Sequence, residues 1–158
     1  VLKVNTKSIG NKRAGKGLEI KIAAPTLNHL SNRGVGDFKT TSPLKADRLV
    51  IENSGVGSVR LSGLDCHSVE VENSGVGDLR LSGKTDKASY ESSGVGDVHA
   101  KELKAKDVNL NHSGVGDITC SASGTIRIRA KGVGNVKYYG NPQVLSLSKS
   151  SVGAVIGK

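Results

Sequence analysis

Residues 68–83 read Ser-Val-Glu-Val-Glu-Asn-Ser-Gly-Val-Gly-Asp-Leu-Arg-Leu-Ser-Gly, and two features of this stretch decide the fold. On either side of Gly75-Val76-Gly77 apolar and polar residues alternate with period two, Val69 and Val71 before it, Leu79 and Leu81 after it. That alternation is the signature of a strand with one buried face. The Gly-Val-Gly triplet itself recurs, starting at Gly34, Gly55, Gly75, Gly94, Gly114 and Gly132, with a decayed copy at Ser151-Val152-Gly153. The intervals are 21, 20, 19, 20, 18 and 19 residues, a period at which each repeat is one coil of a solenoid.

Working outward from the triplets, the residues six and four before each corner are Leu49/Ile51, Val69/Val71, Ala88/Tyr90, Val108/Leu110, Ile126/Ile128 and Leu145/Leu147. The residues four and six after it are Val59/Leu61, Leu79/Leu81, Val98/Ala100, Ile118/Cys120 and Val136/Tyr138. Each coil therefore carries a strand on either side of its corner. The corner residues Val35, Val56, Val76, Val95, Val115, Val133 and Val152 are expected to point inward as a third apolar column. Glycines flank them because a sharp bend needs backbone conformations that a Cβ obstructs. The sequence thus predicts an all-β fold, a right-handed parallel β-helix (β-solenoid) with about 20 residues per coil and Gly-Val-Gly corners. Residues 1–158 read as one such domain, with N-terminal strands over 1–33 leading into seven corner repeats over 34–158. At about 4.8 Å per coil the repeats make a rod of roughly 30 Å.

Composition agrees with a slim repeat core: 35% of the residues are hydrophobic, and the 21 glycines recur in register with the apolar columns. No helical period and no apolar run of bilayer-spanning length is present. Met is absent even from position 1, so an upstream part of the domain is expected to precede Val1, with a secretion signal as one candidate. Cys120 shares a column with Leu61, Leu81 and Tyr138 and reads as a small buried hydrophobe. Cys66 is placed in the turn between coils, too far from Cys120 for a disulfide. Asp65-Cys66-His67 is not a catalytic set, because neighbours in an extended segment point in opposite directions. His29, His67, His99 and His112 fall in unrelated columns without zinc spacing, and no cofactor is expected.

One outward column is chemically loaded. Directly after each corner stand Asp37, Ser58, Asp78, Asp97, Asp117, Asn135 and Ala154. Carboxylates stacked about 4.8 Å apart repel, so something must relieve them. A turn Asp can accept N–H bonds from its own corner, a task open to Asn and Ser as well. The column two residues on reads Lys39, Arg60, Arg80, His99, Thr119 and Lys137. Asp78 therefore has Arg60 and Arg80 near it, and these three with Tyr139 are the candidate ligand-facing residues. Asp117 has only His99 and Thr119, so a cation site would belong at Asp97 and Asp117. One carboxylate per coil is too few for calcium, and capping is the favoured role. Polysaccharide-cleaving β-helices need long loops or aromatic platforms besides acids and an Arg, whereas these coils are uniformly short and Trp is absent. No catalytic residue is assigned.

The Ser-Gly-Val-Gly-Asp repeat, the lead-in Ile22-Ala-Ala-Pro25-Thr-Leu-Asn-His-Leu30 and the ending Gly132-Val-Gly-Asn-Val-Lys-Tyr-Tyr-Gly140-Asn-Pro142 resemble the head GIN domain family. That family comprises bacterial envelope proteins described as autotransporter adhesins. The resemblance implies a β-helix exported to the periplasm, outer membrane or cell surface, and no established catalytic residues. The charge, a net +9, divides unevenly: residues 1–33 hold seven basic groups against Glu19, residues 124–158 hold six against none, and residues 34–123 hold ten against thirteen acidic groups. Basic ends suit an anionic envelope glycan or lipid headgroups, or else guard exposed strand edges. Nucleic acid is disfavoured for want of aromatic residues interleaved with the basic ones. Like charges at the C-terminal end, Lys131, Lys137, Lys149 and Lys158, predict a mainly monomeric rod. The resulting expectation is a non-enzymatic structural or adhesive β-helix. The alternative is one that binds or acts on acidic polysaccharide through the Asp and Arg columns.

Overall fold

The structure, a computed structural model, describes residues 26–158. The strands expected around Leu2-Val4 and Leu18-Ile22 lie outside the described residues. Ten strands follow in chain order: β1 (His29–Asn32), β2 (Phe38–Lys39), β3 (Leu44–Asn53), β4 (Val59–Asn73), β5 (Leu79–Ser92), β6 (Val98–His112), β7 (Ile118–Ala130), β8 (Val136–Tyr139), β9 (Gln143–Lys149) and β10 (Val155–Gly157). All pairings are parallel, β1-β3-β4-β5-β6-β7-β8-β10 in order, with β2 on β4 and β9 on β7. The chain is a β-solenoid of seven stacked coils, joined at their corners by parallel bridges that run from Val35 to Val152.

Between corners the backbone stays extended, so β4, β5, β6 and β7 run 13–15 residues each. Each bends around the rod and presents three faces. The first holds Val59/Leu61 and its equivalents, the third Val69/Val71, as the period-two pattern predicts, and these are buried, with Tyr138 partly so. The second, made by Leu64/Cys66, Thr85, Leu103/Ala105 and Ala122, lies where the sequence suggests only a turn. Cys66 is thus corrected from turn to core: it sits in β4, buried, beside Ala46 and Thr85. Unequal coil lengths are absorbed mainly by register shifts where the first face meets the second, at Leu61/Leu64, Arg80/Gly83 and Ala100/Lys104, with one further shift where the second meets the third, at Ala105/Asp107.

The corner valines are the main correction. They point outward: Val76 and Val95 are 50% and 51% exposed, and Val35 and Val152 more so. The reason is parity. Inside and outside alternate without a break from Leu49 through Ile51, Asn53, Gly55 and Gly57 to Val59, which puts Val56 on the outside. The inward corner positions are the glycines. A Cβ on Gly75 would run into the Gly55 carbonyl oxygen, and one on Gly77, whose φ is 141°, into that of Gly57. The same parity places Asn32, Asn53, Asn73, Ser92 and His112 inside, all buried. Asn32 Nδ2 donates to Asn53 Oδ1 at 2.9 Å and Asn53 Nδ2 to Asn73 Oδ1 at 3.0 Å, an amide ladder running inside the rod. It stops at Ser92, whose hydroxyl is too short to continue it. Asn73 Nδ2, Ser92 Oγ and both His112 ring nitrogens have no partner among the described residues.

Leu145 and Leu147, expected inward, are 43% and 48% exposed. The register slips between Ile126 and Arg127, so Val144 and Ser146 align with them and Leu145 bulges. Among the described residues no further coil covers β9.

Leu110→Ala should lower stability by about 2–5 kcal/mol, because it opens a cavity in a fully buried column, whereas Val95→Thr should change it by about 0.5 kcal/mol or less. Thermal melts of the two variants measure the contrast, and equal losses would mean that the corner column is core after all. Ser92→Asn should raise the melting temperature by a few degrees, since its Oδ1 supplies the acceptor that Asn73 Nδ2 lacks, a gain of about 1 kcal/mol.

Candidate binding surface

With the core fixed by parity, function must reside on outward columns. The post-corner Asp column is a ladder of its own. Asp37 Oδ1 accepts the Ser58 N–H at 2.7 Å, Asp78 that of Asp97 at 3.1 Å, Asp97 that of Asp117 at 2.8 Å, and Asp117 that of Asn135 at 2.8 Å. Asn135 Oδ1 continues it to Ala154 at 3.0 Å. Each side chain therefore caps the following coil rather than its own corner, the source expected from sequence. The peptide between Gly and Asp is held turned so that its N–H aims along the rod axis, and an oxygen one coil below meets it.

This arrangement also revises the neighbours of Asp117. Lys137 of the next coil reaches it at 3.6 Å, and Asn135 Nδ2 adds a bond at 3.1 Å. The backbone N–H of Asn135 first, then its side chain and Lys137, hold the Asp117 carboxyl below the usual carboxylate range. The position proposed for a cation is thus already supplied with donors. Asp97 has His99 at 3.8 Å. Among the described residues no three His, Cys, Asp or Glu side chains converge as a metal ion would require.

The other candidates are only partly brought together. Arg60 and Arg80 are adjacent rungs of one exposed column, and Asp78 stands two residues before Arg80, yet neither Arg forms an ion pair with Asp78 among the described residues. Tyr139 lies three coils further on, roughly 14 Å along the rod, with Lys101 Nζ 4.3 Å from its ring centre. These residues do not form one site. Tyr90, fully buried, and Tyr138, packed partly against the core, are structural. Both thiols are buried, and burial pushes Cys120 up to about 12 and raises Cys66 as well, so neither is a ready nucleophile. Asp65 and His67 point outward on either side of the inward Cys66, His67 pairing instead with Asp86 at 2.7 Å.

Two features went unread in the sequence. The first is the exposed seam of corner valines, flanked by outward serines (Ser54, Ser74, Ser93, Ser113) on one side and by the Asp ladder on the other. The second is how the charges counted by segment above are placed: on the outward sides of the second and third faces, paired and unpaired charges separate along the rod. Arg48 holds Glu70 in a two-pronged contact at 3.0 and 2.7 Å, and Lys45 and Lys84 flank Asp65 at 3.9 and 3.4 Å. At the other end Arg127, Arg129 and Lys131 are exposed and meet no carboxylate among the described residues, nor does Lys149 beside the inward Ala130.

A parallel β-solenoid of short, uniform coils with Ser-Gly-Val-Gly-Asp corners defines a repeat-built, single-rod domain. Residues 1–142 match the family described as "Putative auto-transporter adhesin, head GIN domain", and the chain belongs to that family. Among solved structures, a "putative adhesin" from Bacteroides fragilis NCTC 9343 is 43% identical in sequence, with a TM-score of 0.84 over 85% of this chain. The match spans 62% of the length of that protein. No curated protein sequence matches the chain.

Asp117 gives a pH prediction with a definite sign. Its folded carboxyl lies below the ordinary range, so its stabilisation is present above the unfolded value, about 3.9, and is lost as pH falls through the folded one. Asp117→Ala should cost about 1 kcal/mol at neutral pH, Asp117→Asn less because an acceptor oxygen remains, and both differences from wild type should shrink towards pH 3. Melting curves from pH 3 to 7 measure this, and a gap that widens on acidification would contradict it.

Proposed function

We propose that this domain is a non-enzymatic adhesive module, exported to the bacterial envelope or surface, that makes its contacts through the sides of the rod. The single observation that carries the reading is the valine seam. Six parallel bridges stack seven corner valines in one line, and each interior one remains about half exposed although the core does not use it. A line of apolar side chains along the full length of a rod, edged by hydroxyls and carboxylates, is a contact surface rather than a fold requirement. Membership of a family described as adhesins, and likeness to a solved protein described in the same terms, support the class. Export follows from the family's description. No helix of the described residues is long and apolar enough to cross a membrane.

The reading against catalysis rests on the deployment of the outward groups. In Asp37, Asp78, Asp97 and Asp117 one oxygen of each carboxylate accepts a backbone N–H from the next coil, and the two thiols face the core. A β-solenoid that acts by contact alone should release no reducing ends or unsaturated products from polygalacturonate, alginate or hyaluronate.

The test uses the domain coupled to sensor surfaces and an outer-membrane fraction as the analyte. A triple variant, Val76→Ser, Val95→Ser and Val115→Ser, should fold with a melting temperature within a few degrees of wild type and lose most of the binding response. Full retention of the response by the triple variant would remove the seam from the reading, and turnover of any of the three polysaccharides would remove the non-enzymatic assignment.

A further inference from the structure

The two outward columns of the third face change sign along the rod. One reads Glu52, Glu72, Glu91, Asn111, Arg129 and Ser148 in register. The neighbouring one passes from Glu70 through Ser89 and Asn109 to Arg127. None of these side chains is needed inside, so the order acid, amide, base is not imposed by packing.

The basic end is not explained as protection of an open strand edge. A guard would stand on β9, which no further coil covers among the described residues, and Lys149 beside Ala130 is the cation so placed; Arg127 and Arg129 lie one coil further in, on β7, opposite Ser146 and Ser148. Alternation sends Arg127, Arg129 and Lys131 to the same side at intervals of about 6.6 Å, with Ser146 and Ser148 about 4.8 Å from the two arginines. The result is a flat row of cations beside a row of hydroxyls, crossing the rod along the strand direction.

We propose that the outer surface of β7 and β9 binds a linear acidic polysaccharide, laid along the strands, whose carboxylates are taken by Arg127 and Arg129 and whose hydroxyls meet Ser146 and Ser148. This rests on the adhesive reading above and names a ligand class for it, at a site separate from the valine seam. A planar guanidinium binds a carboxylate in two-pronged fashion, which suits periodic carboxylates. Serine hydroxyls both donate and accept, as sugar hydroxyls require.

The same face argues against other anions. A bilayer covers the whole side of a rod, and Glu91 and Glu72 stand two and three coils below Arg129, about 10–14 Å away, where an anionic membrane would be pressed against them. A polymer strand one sugar wide crosses β7 and β9 and leaves them free. Single-stranded nucleic acid would need aromatic platforms, and this face carries none. A second copy, turned end for end about Asn111, would set Glu91 against Arg129 of its mate. Such solvent-exposed pairs contribute little, and a chain of net charge +9 repels its own kind.

The experiment is calorimetric titration of the domain with polygalacturonate, with its fully methyl-esterified form as the uncharged control. Sedimentation of the free domain and flotation with vesicles of phosphatidylglycerol and phosphatidylcholine run in parallel. Wild type should bind polygalacturonate but not the ester, and affinity should fall steeply from 50 to 300 mM salt. Arg127→Gln with Arg129→Gln should weaken binding at least tenfold at an unchanged melting temperature. Arg127→Lys with Arg129→Lys should recover part of it. Glu72→Gln with Glu91→Gln should leave it equal or stronger. Absence of wild-type binding, indifference to the Arg pair, or equal binding to the vesicles would each overturn the proposal. A dimer lost in the Glu72→Gln, Glu91→Gln variant would reassign the face to a second copy. If polygalacturonate is ignored while the valine variants still abolish adhesion, this proposal fails alone. If the Arg pair controls polygalacturonate binding and the valines control nothing, the site stands and the seam fails.

Discussion

Each coil must lay its backbone about 4.8 Å above the last, and at the corner that spacing leaves no room for a Cβ on the inward side. The rest of the structure depends on this constraint. Two inward glycines per corner let the Gly55, Gly75 and Gly94 backbones stack almost in contact. The second of each pair also takes a φ near 140°, which an L side chain strongly resists. The residue between them must point out, and it is free to be anything the surface wants. The glycines are thus the structural element of the repeat and the valine is the displayed one.

Stacking at one spacing makes side-chain ladders, and the protein uses two of opposite character. Outside, Asp78, Asp97 and Asp117 lie in a column where bare carboxylates would repel, and each is relieved by the N–H of the next coil. Lys137 and Asn135 complete the relief at Asp117. Inside, Asn32 donates to Asn53 and Asn53 to Asn73 in an apolar interior where an unpaired amide is costly, and only the last Nδ2, that of Asn73, is left without a partner among the described residues. Both ladders fix register. A coil slipped by one residue would point its apolar set at water and place an Asp carboxylate in the core.

The period and the two flanking strands are legible in the sequence because Val69/Val71 and Leu79/Leu81 alternate cleanly and every coil repeats them. The second face is not legible, because its inward positions, Leu64/Cys66, Thr85, Leu103/Ala105 and Ala122, mix apolar and polar residues and sit where coil length varies. The direction of the valines is legible in principle. Continuing the parity of Val69 and Val71 through Asn73 and Gly75 sets Val76 outside and the Asn column inside. A general preference for burying Val obscures what the alternation fixes. At the surface, Asp78, Arg60 and Arg80 are correctly outward, but sequence spacing does not show that the Asp oxygens reach forward to the next coil. Nor does it show that Lys137, rather than His99 and Thr119, is the ion-pair partner of Asp117.

A solenoid separates the demands of folding from those of recognition more completely than a globule does. In a globule a surface change on one loop alters the packing of another, whereas here every second residue lies outside a core that repeats regardless of it. Outward columns can therefore hold one residue type along the whole rod, as the valines do, or change along it, as Glu72, Glu91, Asn111 and Arg129 do. A uniform column suits a ligand that runs parallel to the rod axis, and a graded one suits a ligand that crosses it at one level. The valine seam and the β7/β9 surface differ in this respect, so the two contacts proposed for them are geometrically distinct on one scaffold. That arrangement fits adhesion, in which several weak contacts at separate places act together, better than it fits a single deep site.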